Sequence, residues 1–558
     1  DGVTFQSVLE SYADSRTNEA VTSAVANYEK KYNLKDQLDQ YLNQQYYPMH
    51  MPGHKRRVAV MPDCALRYDL TEVSGTDDLH HASGILKDAM TRTSALHGAD
   101  RSWYLVNGST CGNLAGVSAI VPYDGELIVA RNCHRSVFHA IELRHAHPHW
   151  LWPSLNPATG IFDSIRPEAV EALLDEYPES SAVVLTSPGY EGVVSDVRRI
   201  ADICHRRGIP LMVDEAHGAH LGLVPEAGFP DSAIHQGADI SVQSAHKTLL
   251  GMTQTAYLHL RGERVSESVI EEKLSIFESS SPSYPLMLSL AGCTEWMEQE
   301  GRRCFMDWAA ALRDFDETIR PLRHLRVLCH GEDAVNTHAF YAFDQSKLVI
   351  DCSATQLSGY ALMDLLRTYF RYELEMAQPG YALAMTGPGD DFAELPRFAE
   401  ALRMIDQALD EDAEERADLA CAGVDATGMD VDMSALREAV WRKCTSDPLA
   451  EVRNGGASAR RTRVDSLSLQ EAAPKEMALT PCEAVEAAVE MVPVVVLKGR
   501  VSGEYVYSYP PGIPLLVPGE RITEAMVRYL QQAEKRYDEL RYSRSENVEG
   551  TVACLTQI

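Results

Sequence analysis

Between about residues 100 and 260 the chain alternates short apolar runs with segments of helical periodicity, and no other feature limits its fold as much. Trp103–Val106, Leu127–Ala130, Ser181–Thr186, Ile209–Val213 and Asp239–Val242 read as strands. A helix at about Asp196–Arg207 stops at Gly208. Continuous apolar runs this short are buried on both faces, the condition of a parallel sheet covered by helices. The expected architecture is α/β with a parallel or mostly parallel sheet.

At 558 residues the chain is too long for one core. We expect an N-terminal arm and linker over 1–60, whose residues 5–47 look helical and polar. A large domain is expected over 61–315, a small α+β domain over 316–410 and a C-terminal domain over 411–558. In the last of these, Val494–Lys498 and Glu504–Ser508 read as strands and about 522–541 as a closing helix. The acidic run Leu409–Asp418 and the polar stretch Arg453–Ser466, with Arg460, Arg461 and Arg463, read as solvated helix and loop. Formal charge is −30, from 51 Lys and Arg against 81 Asp and Glu. That balance excludes nucleic acid and anionic lipid as partners, because both demand a basic surface. No apolar run reaches the ~18 residues of a membrane span, and the start carries no basic-then-apolar leader. Twelve cysteines without C-x-x-C or zinc-type spacing fit reduced thiols and a cytoplasmic location. Cys111 and Cys133 are read as small buried side chains, and no resident metal is expected.

The chemistry sits at strand ends, where open α/β sheets hold ligands. Asn107-Gly108-Ser109-Thr110-Cys111-Gly112-Asn113 follows a strand and opens a helix, an arrangement suited to one phosphate or simply to a capped helix start. Asp214 closes another strand, in Asp214-Glu215-Ala216-His217-Gly218-Ala219-His220. Lys247 follows the next, in Ser244-Ala245-His246-Lys247-Thr248, and a desolvated lysine is an amine nucleophile with a lowered pKa. A phosphate cradle, a carboxylate and a lysine in this order meet the needs of pyridoxal 5′-phosphate: donors for its phosphate, a partner for its ring nitrogen and an amine for its aldehyde. His134, in Arg131-Asn132-Cys133-His134-Arg135-Ser136, stacks on the ring in this reading or caps a helix in the plainer one. His217 and His220 with Asp214 also permit a metal reading, although they lack H-E-x-x-H spacing and a third ligand.

Taken together, the sequence resembles the bacterial ornithine/lysine/arginine decarboxylases. The matching stretches are His50–Lys55, Asp69–Val73, Asp77–His80, Asn107–Asn113, Arg131–Ser136 and Thr186–Pro188. They continue through Gly192–Asp196, Asp214–His220, Ser244–Lys247, Ser281–Pro285 and Tyr509–Glu520. The resemblance implies an aspartate aminotransferase-like (fold type I) large domain, with smaller α+β domains, in the shorter subgroup without a receiver-like N-terminal wing. It implies pyridoxal phosphate on Lys247, Asp214 as partner of the ring nitrogen, and His134 as the stacking residue. Gly108, Ser109, Thr110, His217, Ser244 and His246 match cofactor positions. Ser280, in Ser279-Ser280-Ser281, matches the hydroxyl that reaches the neighbouring subunit's phosphate, which implies a homodimer with shared sites. The implied reaction is α-decarboxylation of lysine, ornithine or arginine to a diamine or agmatine, a step of polyamine biosynthesis, with Lys247 or His246 returning a proton to Cα. Glu520 is the first candidate for the substrate's distal cation, with Glu504 and Asp78 behind it. An aminotransferase, with Arg367 or Arg371 clamping a carboxylate, and an inactive regulatory homologue are the competing readings.

Overall fold

The computed structural model describes residues 43–55, 57, 65–73, 76–156, 161–331, 340–410, 431–446, 476–508, 512–536, 540–545 and 550–556. Most of the expected helical arm, residues 411–418 of the acidic run and all of 453–466 lie outside these. The central element is a seven-stranded sheet of β1 (Arg101–Leu105), β2 (Glu126–Ala130), β3 (His147–Leu151), β4 (Val183–Thr186), β5 (Leu211–Asp214), β6 (Ile240–Gln243) and β7 (Ala256–Leu260). Their order is β1-β7-β6-β5-β4-β2-β3. Neighbours pair in parallel except at β7, which runs antiparallel to both β1 and β6.

The five strands expected in this region are present within two residues at each end. β3 and β7 were not anticipated. β3 reads His-Pro-His-Trp-Leu, so no apolar run marks it, and its Pro148 is tolerated because the strand lies at the sheet edge. The helices include α1 (Ile85–His97), α2 (Gly108–Ile120) and α3 (Arg135–Leu143). α2 is almost wholly buried, and its Gly112 and Gly116 let it approach the sheet. A Cβ at Gly112 would lie 2.7 Å from Leu105 and Val242, and one at Gly116 2.8 Å from Met212.

A smaller four-stranded antiparallel sheet follows, of β8 (Arg326–Val327), β9 (Lys347–Asp351), β10 (Met376–Gln378) and β11 (Tyr381–Met385), in the order β8-β9-β11-β10. The strand Tyr47–Met49, inside the expected arm, pairs in parallel with Tyr372–Leu374. That pairing ties the first described residues to the small unit.

The C-terminal unit has its own apolar cluster, built on Val492, Leu497, Leu516, Met526 and Leu530. Its strand is Val489–Pro493, paired antiparallel with Thr551–Leu555, and not the expected Val494–Lys498. Val494–Val496 forms a 3₁₀ turn, and among the described residues the pairing with Thr551–Leu555 stops at Pro493. Val495 is left 70 % exposed. Among the described residues no helix is long and apolar enough to cross a membrane.

Candidate active site

Lys247 lies on the single helical turn Ala245–Thr248 after β6, and Asp214 ends β5 beside it. Lys247 Nζ and His217 Nε2 share a hydrogen bond of 3.0 Å. Asp214 Oδ2 accepts from Asn113 Nδ2 (2.8 Å), and Oδ1 accepts from the Ala216 backbone N–H (3.2 Å). Asn113 also donates to Ser136 Oγ (3.0 Å), which contacts His134 Nδ1 (2.8 Å). Asp214, Asn113, Ser136 and His134 thus form one chain of contacts across three strand ends. His134 is the N-cap of α3 and accepts from the Ser136 N–H, so the capping reading of this residue holds geometrically.

Burial dominates the electrostatics. It lowers the Lys247 pKa, against the opposing pull of Asp214 and Glu375, and raises that of Asp214 against Lys247 and Asn113. Burial also holds His134 near 3 and His246 near 4, and puts His217 well below its ordinary value. All three imidazoles are therefore neutral at neutral pH. His246 Nδ1 lies 2.9 Å from the Thr255 carbonyl, which can only accept, so Nδ1 carries the proton and Nε2 is the basic atom.

The phosphate end is open. Gly108 takes φ +77, and α2 begins without a side-chain cap from Asn107, which leaves its first N–H groups free for an anion. Asn107 is exposed, as is Thr110; Gly108 and Ser109 are half-buried. Ser279, Ser280 and Ser281 are exposed on the same side, and the Ser279 N–H donates to Asn107 Oδ1 (3.2 Å).

The residues present fit pyridoxal phosphate. Ser244 Oγ, His217 Nδ1 and Asn113 Oδ1 are buried without a hydrogen-bond partner among the described residues. A half-buried amine and a buried carboxylate stand at the ends of neighbouring strands, each costly unless it meets a complementary group. A bound carbonyl compound with a protonated ring nitrogen and a phosphate supplies those groups.

Over Lys247 lies the loop Pro52-Gly53-His54. The Gly53 N–H donates to the His246 carbonyl (2.8 Å), and a Cβ at Gly53 would stand 2.3 Å from the Leu249 oxygen. Glu375, from the small unit, accepts from Tyr190 OH (2.5 Å) and from the Met51 N–H (2.9 Å). The Tyr190 ring centroid is 4.3 Å from that of His217. Neither Glu375 nor Tyr190 was expected from the sequence, for neither belongs to a strand-end motif.

Two expected substrate carboxylates need correction. Glu520 is buried against Arg131, with Arg131 Nη2 3.3 Å from Glu520 Oε2, which also accepts from the Val517 N–H (2.8 Å). Glu504 is fully buried and accepts from the N–H groups of Arg544, Ser545 and Ala553 and from Ser545 Oγ. Glu504 holds the C-terminal unit together, Glu520 ties it to the large unit, and the oxygens of both are committed. Asp78 caps the short turn Leu79–His81 and is half-exposed near Ser279, which His80 Nε2 contacts. The metal reading of His217 and His220 also fails, because His220 turns away to Asp344 (3.1 Å). Arg367 pairs with Glu373 (2.7 Å), and both Arg367 and Arg371 lie over Tyr46, so Arg367 has a partner other than a substrate carboxylate. Cys111 and Cys133 are buried, and burial pushes the Cys133 thiol up to about 12.

Residues 33–349 match the family described as Orn/Lys/Arg decarboxylase, major domain, and residues 465–541 match its C-terminal domain. An arginine decarboxylase of Halalkalibacterium halodurans is 29% identical over 87% of this chain and 89% of its own length. A Bacillus subtilis protein named uncharacterized protein YaaO is 32% identical over 87% of this chain and 91% of its own. In three dimensions the crystal structure of a Francisella novicida lysine decarboxylase aligns with a TM-score of 0.68 at 22% identity, over 87% of this chain and 74% of that one. The chain belongs to the Orn/Lys/Arg decarboxylase family of pyridoxal-phosphate-dependent amino-acid decarboxylases.

Proposed function

We propose that this chain removes the α-carboxylate of a basic amino acid, with arginine as the first-choice substrate. Lys247 and Asp214 on neighbouring strand ends, the one held by His217 and the other by Asn113, carry the reading of the reaction. The choice of arginine leans on relatives that bear the name arginine decarboxylase and align over 87% of this chain.

Lys247, Asp214, His134, Ser244 and the N–H groups at Gly108–Thr110 hold the cofactor in this reading, with His217 and His246 beside it. When bound, pyridoxal phosphate supplies an electron sink for the pair left behind as CO₂ departs. Asp214 keeps a proton on the ring nitrogen, and Asn113 keeps that carboxylate oriented. His134 walls one face of the site, fixed through Ser136. The neutral imidazoles leave the substrate carboxylate without a cationic clamp, so its ground state gains little that the departing CO₂ must lose. Lys247 Nζ or His246 Nε2 returns the proton to Cα.

Glu375 becomes the first candidate for the substrate's distal cation, with Asp78 second. Exposure of Ser279–Ser281 beside the cradle supports the homodimer in which Ser280 serves the neighbouring site. Purified protein given arginine, lysine and ornithine tests the proposal through its products. Agmatine and CO₂ are the expected result, diamine from lysine or ornithine moves the substrate choice, and keto acid without CO₂ overturns the reaction.

A further inference from the structure

We propose that His145, Cys482 and Glu486 form a binding site for a zinc-like divalent cation that joins the C-terminal unit to the large one. One ligand atom of each residue lies within 4.8 Å of the other two, the one such group among the described residues. Cys482 Sγ and His145 Nε2 are already 3.2 Å apart. Cys482 and Glu486 are four positions apart on the helix Pro481–Glu486, a spacing that puts both on one face. That face is set by the Thr480–Glu483 capping box, which fixes where the helix begins.

The opposite ligand is held just as definitely. His145 follows α3 with φ +53, a left-handed conformation that few side chains adopt without a reason. Its N–H donates to the Glu142 carbonyl (3.0 Å) and its ring packs on Tyr123 at 4.6 Å. The turn thereby aims Nε2 at Cys482.

Thiolate, imidazole and carboxylate are a borderline donor set, matched to a tetrahedral cation with water as the fourth ligand. Hard cations such as Ca²⁺ and Mg²⁺ require oxygen shells that this group lacks. The surrounding charge suits a cation, since Glu486, Glu142 and Glu483 all act on the thiol. Two cations stand near and both are engaged, Arg544 with the Val485 carbonyl and Arg144 with the Val121 carbonyl and the Tyr123 ring. On binding, the Cys482 sulfur–hydrogen bond breaks, a sulfur–metal bond forms, and the proton leaves to water.

Position gives the site its use. α3 starts at His134 in the active site and ends just before His145, so a cation at Cys482 would anchor the far end of the helix that carries the stacking histidine. A positive charge at a helix C-terminus is also favourable.

The test uses the full-length holoenzyme, stripped with a chelator and titrated with Zn²⁺ or Co²⁺. About one Zn²⁺ per chain is expected by elemental analysis, together with a thiolate-to-Co²⁺ charge-transfer band and a rise in Tm on Zn²⁺ addition. Cys482→Ser should abolish the band, and Glu486→Gln, at an exposed position that leaves the fold alone, should weaken Zn²⁺ binding at least tenfold. Equal Zn²⁺ uptake by the wild type and both variants, or Co²⁺ binding without the band, would overturn the site and leave only a thiol–imidazole hydrogen bond.

Discussion

Arg131 and Glu520 stand 389 positions apart in sequence and form an ion pair in which each side chain is 1 % exposed. Three aromatic rings, of Phe138, Trp150 and Trp152, surround the guanidinium at 5.1–5.4 Å. Arg131 also donates to the carbonyls of Pro514 and Leu515. A buried pair adds little over a well-packed apolar pair, but breaking it strands a charge. Glu520→Ala is therefore expected to cost about 3–5 kcal/mol in chemical denaturation. Arg131→Met combined with Glu520→Leu should cost less than Glu520→Ala alone. A Glu520→Ala cost below about 1 kcal/mol, with activity lost, would return Glu520 to the substrate site.

Lys247→Ala is expected to abolish turnover while leaving the circular dichroism spectrum unchanged. Borohydride treatment of the wild type should fix the cofactor to the peptide containing Lys247, as read by mass spectrometry. Full turnover of Lys247→Ala would sink the assignment of this residue.

Asp214→Ala should lower kcat by about 10²–10³, the usual scale for removing one fixed electrostatic partner. Asn113→Ala should lower it less, because Asp214 keeps its bond from the Ala216 N–H. Gross misfolding of Asp214→Ala would mark a structural residue instead.

Gly53→Ala tests the loop over Lys247. The new methyl would meet the Leu249 oxygen at 2.3 Å, and backbone on both sides cannot yield cheaply. Activity should fall at least tenfold, with a lowered Tm as the loop is forced from its seat. Unaltered kinetics would show that the loop does not support the site.

Glu278 gives a pH prediction beside the phosphate cradle. Burial raises its pKa from 4.5 to about 7, although Oε1 accepts from the Val106 N–H (2.6 Å). The folded state thus holds a proton that the unfolded state releases. The carboxyl's contribution is fully present below about pH 4.5 and is lost as pH rises through about 7. Glu278→Gln keeps the acceptor and removes the titration. It should gain about 1–3 kcal/mol over the wild type at pH 8 and nothing at pH 4.5. Parallel denaturation curves at both pH values would refute the buried acid.

The parts of the fold that were legible in sequence share one property: they announce themselves locally. The runs that became β2, β4 and β5 are mostly apolar because both faces are covered, and Asp214 and Lys247 stand out beyond strand ends. β3 was invisible because an edge strand accepts His147, Pro148 and His149. Glu375 was invisible because its role depends on a fold-back from the small unit, and nothing in Tyr372–Met376 marks one glutamate over another. Glu504 and Glu520 misled for the opposite reason. Glu520 sits in a matched stretch and Glu504 lies close before it, yet the carboxylates serve buried backbone N–H groups and Arg131, which only three-dimensional packing shows. Val494–Val496 is as apolar as any strand, but a run becomes a strand only where a partner exists.

The Met51 N–H donates to Glu375 Oε2 across 324 residues, and Tyr47–Met49 pairs with Tyr372–Leu374. At about 5–20 residues per second, a ribosome makes the loop over Lys247 roughly 15–65 s before the segment that seats it. The contact that seats this loop is therefore among the late ones to form, because one half of it does not exist until the small unit has been made.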